Sequence, residues 1–178
     1  MKTSLLPLMC CILITNLTMK PGAFTQMYVH VVFAVRNRRA VLTESIRERV
    51  FEYIGGILND LKHKPLIVNG YTDHIHIFFG LNPTMSVSDT VYHLKRGSSL
   101  FINKQKLCKG HFAWQEGYGA FTYSHSDIDR VYNYIKNQKA HHTKKQFKEE
   151  YVTLLDEYTV KYDERFLFDF FLNPPDDI

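Results

Sequence analysis

The chain has 178 residues, of which 45% are hydrophobic and 22% are charged, which is enough apolar material for one compact domain but not for two. Its formal net charge of +4 is mildly basic, which suits a nucleic-acid partner but is also common among ordinary soluble proteins. The three cysteines, Cys10, Cys11 and Cys108, exclude a disulfide framework and a CxxC metal site. We therefore expect one domain in a reducing compartment, the cytoplasm.

The N-terminal segment differs in composition from the rest of the chain. Lys2 and the apolar run over 5–14 resemble a short secretory signal, but no small-x-small cleavage site follows, and the run is too short to cross a membrane as a helix. Met19 stands shortly before the first convincing strand, so translation from Met19 is one interpretation. We expect no membrane association. We predict that residues 1–18 are a leader that is disordered or not translated, that residues 19–160 form a single catalytic domain, and that residues 161–178 form a C-terminal tail.

The first half of the chain has the pattern of one strand, one helix and a pair of strands. Residues 28–35 are rich in β-branched and aromatic side chains and predict the first strand. Apolar residues recur at helical spacing over 46–61 and predict a helix. After a proline break, short strands are predicted over 66–68 and 74–79, and they should pair as neighbours.

The second half continues with helices and one further strand region. A helix is predicted from Ser86, where a capping pattern precedes an apolar face. The glycine-interrupted stretch 112–123 predicts a bent strand or hairpin. Two more helices are predicted over 126–142 and 143–155. The order β-α-β-β-α-β-α predicts an α+β fold, a ferredoxin-like (split βαβ) antiparallel sheet covered by helices.

One predicted strand carries a pair of histidines. His74 and His76 alternate with Ile75 and Ile77, so both imidazoles lie on one face of the strand and can share a metal ion. Two half-buried histidines without a ligand are an equally good interpretation of the isolated pattern. Asp73 is either a residue that orients a neighbouring histidine or a turn residue. A catalytic metal also needs a third protein ligand and an open position.

The helix predicted over 126–142 carries a tyrosine outside the centre of its apolar stripe. Tyr132 belongs to the stripe and is interpreted as a core residue. Tyr134 shares a polar face with Gln138, one turn later, and with His141 beyond it. The alternative for Tyr134 is an aromatic side chain at the solvent boundary.

This combination of residue types suits reversible cleavage of DNA. A tyrosine hydroxyl that attacks a phosphodiester forms an aryl phosphate ester, and a DNA hydroxyl can reverse the reaction without ATP. Such chemistry needs a cation on the phosphate, to neutralise developing charge and to hold the phosphorus in line. We predict Tyr134 as the nucleophile and three metal ligands, His74, His76 and Gln138.

Taken together, these residues resemble the HUH transposases with a single catalytic tyrosine, the TnpA type of small bacterial insertion sequences. The match includes His74-Ile75-His76 as the histidine motif and the segment from Tyr134 to Gln138 as the tyrosine helix. The resemblance extends from about Thr25 to Tyr151, and it includes three further segments: 28–35, 94–96 and 114–121.

The resemblance implies an enzyme that cleaves and rejoins single-stranded DNA at hairpin-bearing element ends through a 5′-phosphotyrosine intermediate. It also implies Mg²⁺ or Mn²⁺ as the cation, although imidazole ligands bind softer metals too. Proteins of this family act as homodimers, in which the tyrosine helix of one subunit can complete the histidine site of the other.

Basic and aromatic residues are interleaved in the way that suits a single DNA strand, since cations follow phosphates and rings stack on bases. A solvated basic face is the alternative. The candidate DNA-binding residues are Arg36, Arg38, Arg39, Lys95, Arg96 and Trp114. His30, on the first strand, is interpreted as structural.

Three other functions remain open at this stage. One is a tyrosine transposase associated with repeated extragenic palindromes, or a domesticated relative that has lost its mobile element. The second is a non-catalytic module that binds single-stranded nucleic acid on the same fold, which would not explain the set His74, His76 and Gln138. The third is a small metal-storage protein or metal-dependent hydrolase, which would not need Tyr134.

Overall fold

The computed structural model describes residues 24–142 and 146–168. The predicted leader, Met19 and Thr143 lie outside these residues, as does most of the predicted tail. The described part contains four strands and five helices, here numbered in chain order: β1 Tyr28–Ala34, α1 Glu44–Asp60, β2 Lys64–Gly70, β3 His74–Gly80, α2 Val87–Lys104, β4 Gly119–Tyr123, α3 Ile128–Lys136, α4 Gln138–His141 and α5 Phe147–Glu157.

The four strands form one sheet in the order β2-β3-β1-β4, and every neighbouring pair is antiparallel. This order places β1 and β3 at the centre and separates β1 from β2 by one strand, which is the split βαβ arrangement. The predicted α+β, ferredoxin-like fold is confirmed. Among the described residues, no helix has the length and apolar character that crossing a membrane requires.

One face of the sheet carries the larger apolar core. Alternation along β1 and β3 directs valine, isoleucine and phenylalanine side chains to this face, and α1 and α2 cover it. Burial of each such side chain stabilises the fold by about 1.5–3 kcal/mol. The sheet residues of this core are Val29, Val31, Phe33, Ile75, Ile77 and Phe79.

The other face of the same two strands is buried under α3 and α5. Here Val32, Ala34 and Phe78 pack against apolar side chains of these helices. The same alternation that places Ile75 in the first core turns His74 towards this second, helix-covered face. The histidine pair is therefore enclosed between the sheet and the C-terminal helices instead of lying on an open sheet surface.

Several predicted boundaries differ from the structure. β2 begins at Lys64 and includes Pro65, because it is an edge strand with an irregular register at this proline. The region 112–118 is a loop joined to Val35 by an isolated bridge at Trp114, so that only β4 is a true strand there. The helix predicted over 126–142 is divided at Asn137 into α3 and α4.

Candidate active site

The histidine pair is fully buried, and each imidazole is held by one of its two nitrogens. His74 Nδ1 lies 2.7 Å from Asp73 Oδ1, and His76 Nδ1 lies 2.9 Å from His30 Nε2. Both Nε2 atoms are buried and have no hydrogen-bond partner among the described residues. In metal-binding histidines, one ring nitrogen usually makes a hydrogen bond to a neighbouring residue, and the other is left open for the metal. Asp73 therefore orients His74, and His30 contacts the pair directly.

Tyr134 lies beside the histidines of its own chain. Its ring centroid is 6.0 Å from that of His76 and 6.4 Å from that of His30, and both contacts are edge-on. The tyrosine hydroxyl donates a hydrogen bond to Glu150 Oε1. In contrast to the prediction, Tyr132 is 37% exposed, because Tyr134 packs with Val131 and Ile135 against the sheet.

Asn69 of β2 anchors the tyrosine helix at its C-terminal end. Its side-chain nitrogen donates to Ile135 O at 2.8 Å and to Lys136 O at 3.1 Å, which satisfies two carbonyl groups at the end of α3. Asn69 is also the register partner of His76 in the β2–β3 pair. This contact connects the position of Tyr134 to the strand that carries the histidines.

Gln138 is fully buried at the start of α4 and contacts two further polar residues. Its Nε2 donates to Glu150 Oε1 at 2.7 Å, and His142 Nε2 donates to its Oε1 at 2.9 Å. The structure thus brings Gln138 into the same polar cluster as Tyr134, and the amide connects α4 to α5. His141 also reaches this cluster, with its Nε2 3.9 Å from Glu150 Oε1.

Glu150 of α5 lies at the centre of the cluster and was not predicted from the sequence. Only 2% of this residue is exposed, and its carboxylate oxygens lie 3.6 Å from His76 Nε2 and 3.9 Å from His74 Nε2. Its Oε2 is 2.9 Å from His142 Nε2. One sequence signal could have revealed it: Glu150 is an acid on the apolar face of α5, three residues after Phe147.

The charges of the cluster favour a bound cation. Burial lowers the pKa of His76 well below its usual value and that of His30 to about 4, so both imidazoles are neutral at pH 7. Burial alone would raise the pKa of Glu150, but His142 and the hydrogen bond from the Tyr134 hydroxyl hold that pKa below its ordinary value. Neutral imidazoles and an ionised carboxylate are the protonation states that bind metals.

The residues around the Tyr134 hydroxyl do not activate it. Burial, the negative charge of Glu150 and the hydrogen bond to that carboxylate raise the pKa of Tyr134 above its usual value. The hydroxyl therefore keeps its proton at neutral pH, and its attack on a phosphate requires additional positive charge near the oxygen.

The predicted DNA-binding residues fall into two groups. Arg36, Arg39 and Arg96 are exposed, while the side chain of Arg38 lies outside the described residues. Arg36 and Arg39 line a cavity of about 160 Å³ together with Lys109 and His111.

The side chains of Lys95 and Trp114 make hydrogen bonds to other residues of the protein. Lys95 Nζ donates to the carbonyls of Gln115, at 2.8 Å, and Gly117, and burial lowers the pKa of Lys95 to about 8. Trp114 is 6% exposed, and its Nε1 donates to Ser98 Oγ at 2.8 Å. The indole packs edge-on against aromatic rings of the first core, which leaves it no free face for a DNA base.

The buried imidazoles should make the free energy of unfolding depend on pH. This free energy is measured in the presence of a chelator, so that metal binding does not contribute. His30 titrates at about 4 in the fold and at about 6.5 in the unfolded chain, so the unfolded chain binds more protons between these values. Stability should therefore decrease as pH falls from 6.5 to 4, with His30 contributing at most about 3 kcal/mol. Denaturant titrations of wild type and His30→Gln across this range measure the contribution. The exposed His93→Gln is the control, and equal pH slopes in all three proteins would contradict the prediction.

A family model described as "Transposase IS200 like" matches residues 23–138. The chain belongs to the IS200-like transposases. The matched segment of this transposase extends from β1 through the histidine pair to Tyr134 and Gln138. His142 and Glu150 lie beyond it. The predicted membership of the HUH single-tyrosine transposases is confirmed.

Two solved structures are similar to this IS200-like transposase in fold. A protein of Deinococcus radiodurans R1, described as a transposase, is 22% identical, with a TM-score of 0.54 over 67% of this chain and 96% of that chain. A REP-associated tyrosine transposase bound to a REP hairpin is 15% identical, with a TM-score of 0.52 over 70% of this chain and 74% of that chain. No curated protein matches the chain.

Proposed function

We propose that this IS200-like transposase cleaves and rejoins single-stranded DNA at hairpin-bearing element ends, with Tyr134 as the nucleophile. The observation that carries the proposal is the convergence of the Tyr134 hydroxyl with the open Nε2 atoms of His74 and His76 in one buried cluster. The REP hairpin bound by the similar transposase supports a DNA hairpin as the substrate. With DNA as its substrate, we expect the protein to act in the cytoplasm.

The reaction follows from the chemistry of the tyrosine hydroxyl. The Tyr134 oxygen attacks the scissile phosphorus and loses its proton as the new O–P bond forms, and the P–O3′ bond breaks to release a 3′-hydroxyl. The 5′-phosphate is then bound to Tyr134. Attack by a 3′-hydroxyl on this phosphotyrosine restores a phosphodiester and the free tyrosine, so bond energy is retained.

His74 and His76 are suited to hold a divalent cation, Mg²⁺ or Mn²⁺, through their open Nε2 atoms. Such a cation supplies positive charge that neutralises the phosphate oxygens in the transition state. Asp73 and His30 keep the two imidazoles oriented, and Glu150 fixes the direction of the Tyr134 hydroxyl. Gln138, the third predicted ligand, belongs to the same cluster through its hydrogen bond to Glu150.

The basic cavity beside β1 is suited to guide DNA towards the site. Arg36 and Arg39 lie directly after β1, and Val35 N donates to Asp73 O at 2.8 Å. The cavity is thus connected by one backbone hydrogen bond to the residue that precedes His74. We propose that these arginines bind the DNA phosphates.

The decisive experiment is incubation of the protein with labelled single-stranded hairpin DNA and Mg²⁺ or Mn²⁺, followed by a denaturing gel. A covalent protein–DNA adduct that survives denaturation supports the proposed function. Hairpin binding without any adduct would instead favour the non-catalytic single-strand binder of the same fold.

Tyr134 lies beside the histidines of its own chain, which supports cleavage in cis as the arrangement that we propose, also within a homodimer. A mixture of Tyr134→Phe and His74→Ala subunits tests this expectation. Cis assembly predicts no adduct, since neither subunit has a complete site. Recovery of the adduct in the mixture, but in neither variant alone, would demonstrate a site shared between subunits.

A further inference from the structure

We infer that Arg47 binds a phosphate of the DNA strand at the edge of the active site. The inference rests on the proposed DNA substrate, and it concerns a residue that the sequence did not indicate. Arg47 lies on α1, and only 9% of this residue is exposed. It does not line the basic cavity that contains Arg36 and Arg39, so the contact that we infer is a separate one.

The guanidinium group of Arg47 has open hydrogen-bond donors. Within the part of the chain that the structure describes, it makes no ion pair and no hydrogen bond, and none of its nitrogens is among the buried atoms without a partner. The nitrogens therefore reach the surface, although most of the side chain is buried. The acid three residues earlier, Glu44, accepts a hydrogen bond from Lys139 Nζ at 2.7 Å. A planar fork of open donors is suited to bidentate binding of a phosphate.

Tyr71 holds the guanidinium group in place. Arg47 Cζ lies over the Tyr71 ring, 5.6 Å from its centroid, which is a cation–π contact. Tyr71 belongs to the turn between β2 and β3, where Leu42 N donates to Thr72 O at 2.9 Å. This bond connects the turn to the segment before α1. The donors of Arg47 are therefore in position before DNA binds, which reduces the entropy that is lost on binding.

The same aromatic contact places Arg47 beside the active site. The Tyr71 ring stacks on the His142 ring with centroids 5.1 Å apart, and the His142 ring lies 4.5 Å from the His74 ring. Tyr71 N also donates to His74 O at 3.1 Å. A DNA strand whose scissile phosphate lies at the histidine pair can therefore place a flanking phosphate against Arg47, with Tyr71 as a positioning residue that acts through the guanidinium.

The salt dependence of DNA binding tests the inference. Fluorescence anisotropy measures the affinity of the full chain for labelled single-stranded hairpin DNA at several salt concentrations, in EDTA so that no metal-dependent cleavage occurs. Each phosphate contact contributes about 0.7–0.9 to the slope of log affinity against log salt concentration. We expect Arg47→Gln to reduce the slope by this amount and to raise the dissociation constant about 10-fold at low salt.

Arg49→Gln is the matched control, because it removes an exposed charge from the same helix, and its slope and affinity should equal those of wild type. Arg47→Lys keeps the charge and should keep the slope, with a weaker affinity because lysine lacks the planar fork. A folded Arg47→Gln protein with the wild-type slope would overturn the inference, even if its affinity were lower, since a purely structural role leaves the number of phosphate contacts unchanged.

The NMR signal of the Arg47 Nε–H group provides a second measurement, made on the wild-type chain. Arg47→Lys identifies this signal, because the signal is missing from its spectrum. We expect hairpin DNA in EDTA to shift the Arg47 signal and to leave the Arg49 signal in place. An Arg47 signal that does not move when wild type is saturated with DNA would contradict the inference.

Failure of this inference is distinguishable from failure of the proposed function. A chain that binds hairpin DNA through Arg47 but forms no covalent adduct with Mg²⁺ or Mn²⁺ would reject the function and leave the phosphate contact in place. A chain that forms the adduct while Arg47→Gln keeps the wild-type salt dependence would reject the contact alone.

Discussion

Tyr134→Phe should abolish the covalent protein–DNA adduct, with a loss of cleavage rate of about 10⁴-fold or more. Phenylalanine has no oxygen to form the bond to phosphorus, so no intermediate can accumulate. Hairpin binding should be nearly unchanged, because the ring remains packed between α3 and the sheet. The measurement is a denaturing gel for the adduct beside a native gel for binding.

The matched control is Tyr132→Phe, which removes an exposed hydroxyl from the same helix. Its adduct yield should equal that of wild type. Tyr134→Phe also removes a hydrogen bond to the buried Glu150, which costs about 1–3 kcal/mol of stability. Thermal melting of both variants therefore separates loss of chemistry from loss of fold. If folded Tyr134→Phe still formed the adduct, another residue would have to be the nucleophile, and Tyr132 would be the next candidate.

His74→Ala should remove metal-dependent cleavage as completely as a chelator does. Alanine deletes one of the two imidazoles that we propose to bind the cation, and it leaves Asp73 without the contact at 2.7 Å. We expect EDTA to abolish the adduct in wild type and excess Mn²⁺ to restore it. The variant should remain inactive at the same Mn²⁺ concentration, with adduct yield measured by the same gel. Full activity of wild type in EDTA would contradict a role for the cation.

His93→Ala is the control for this second prediction, since His93 is an exposed histidine on α2. It should bind Mn²⁺ and form the adduct as wild type does. The His74 ring stacks on Phe147, so its removal also weakens the packing of α5 on the sheet. Circular dichroism of His74→Ala is needed to show that the fold persists before its inactivity is assigned to the metal site.

The predicted site and the site in the structure differ mainly in one residue that the sequence did not indicate. The sequence indicated two histidines and an amide, whereas the structure adds Glu150 between them. Glu150 contacts Tyr134, Gln138 and the imidazoles at once, so it connects the predicted nucleophile to the predicted metal ligands. Such a connection depends on the docking of α5 over the sheet and is not visible in any one segment of sequence.

The sequence by itself determined those features that depend on local periodicity. The twofold repeat of a strand places His74 and His76 on one face whatever the rest of the chain does, and the spacing of Tyr134 and Gln138 places them one helical turn apart. The β-branched and aromatic content of β1 similarly predicted a strand, and the structure buries every residue of it.

Only the tertiary structure decided which of these local features meet, and in which orientation. The sequence assigned Tyr132 to the apolar stripe and Tyr134 to its edge, but packing against the sheet, with Asn69 holding the helix end, turned Tyr134 inward. Trp114 became a core residue because the loop that carries it closes over α2. Glu150 joined the histidines because its burial depends on partners distant in sequence, and periodicity contains no information about partners beyond its own element.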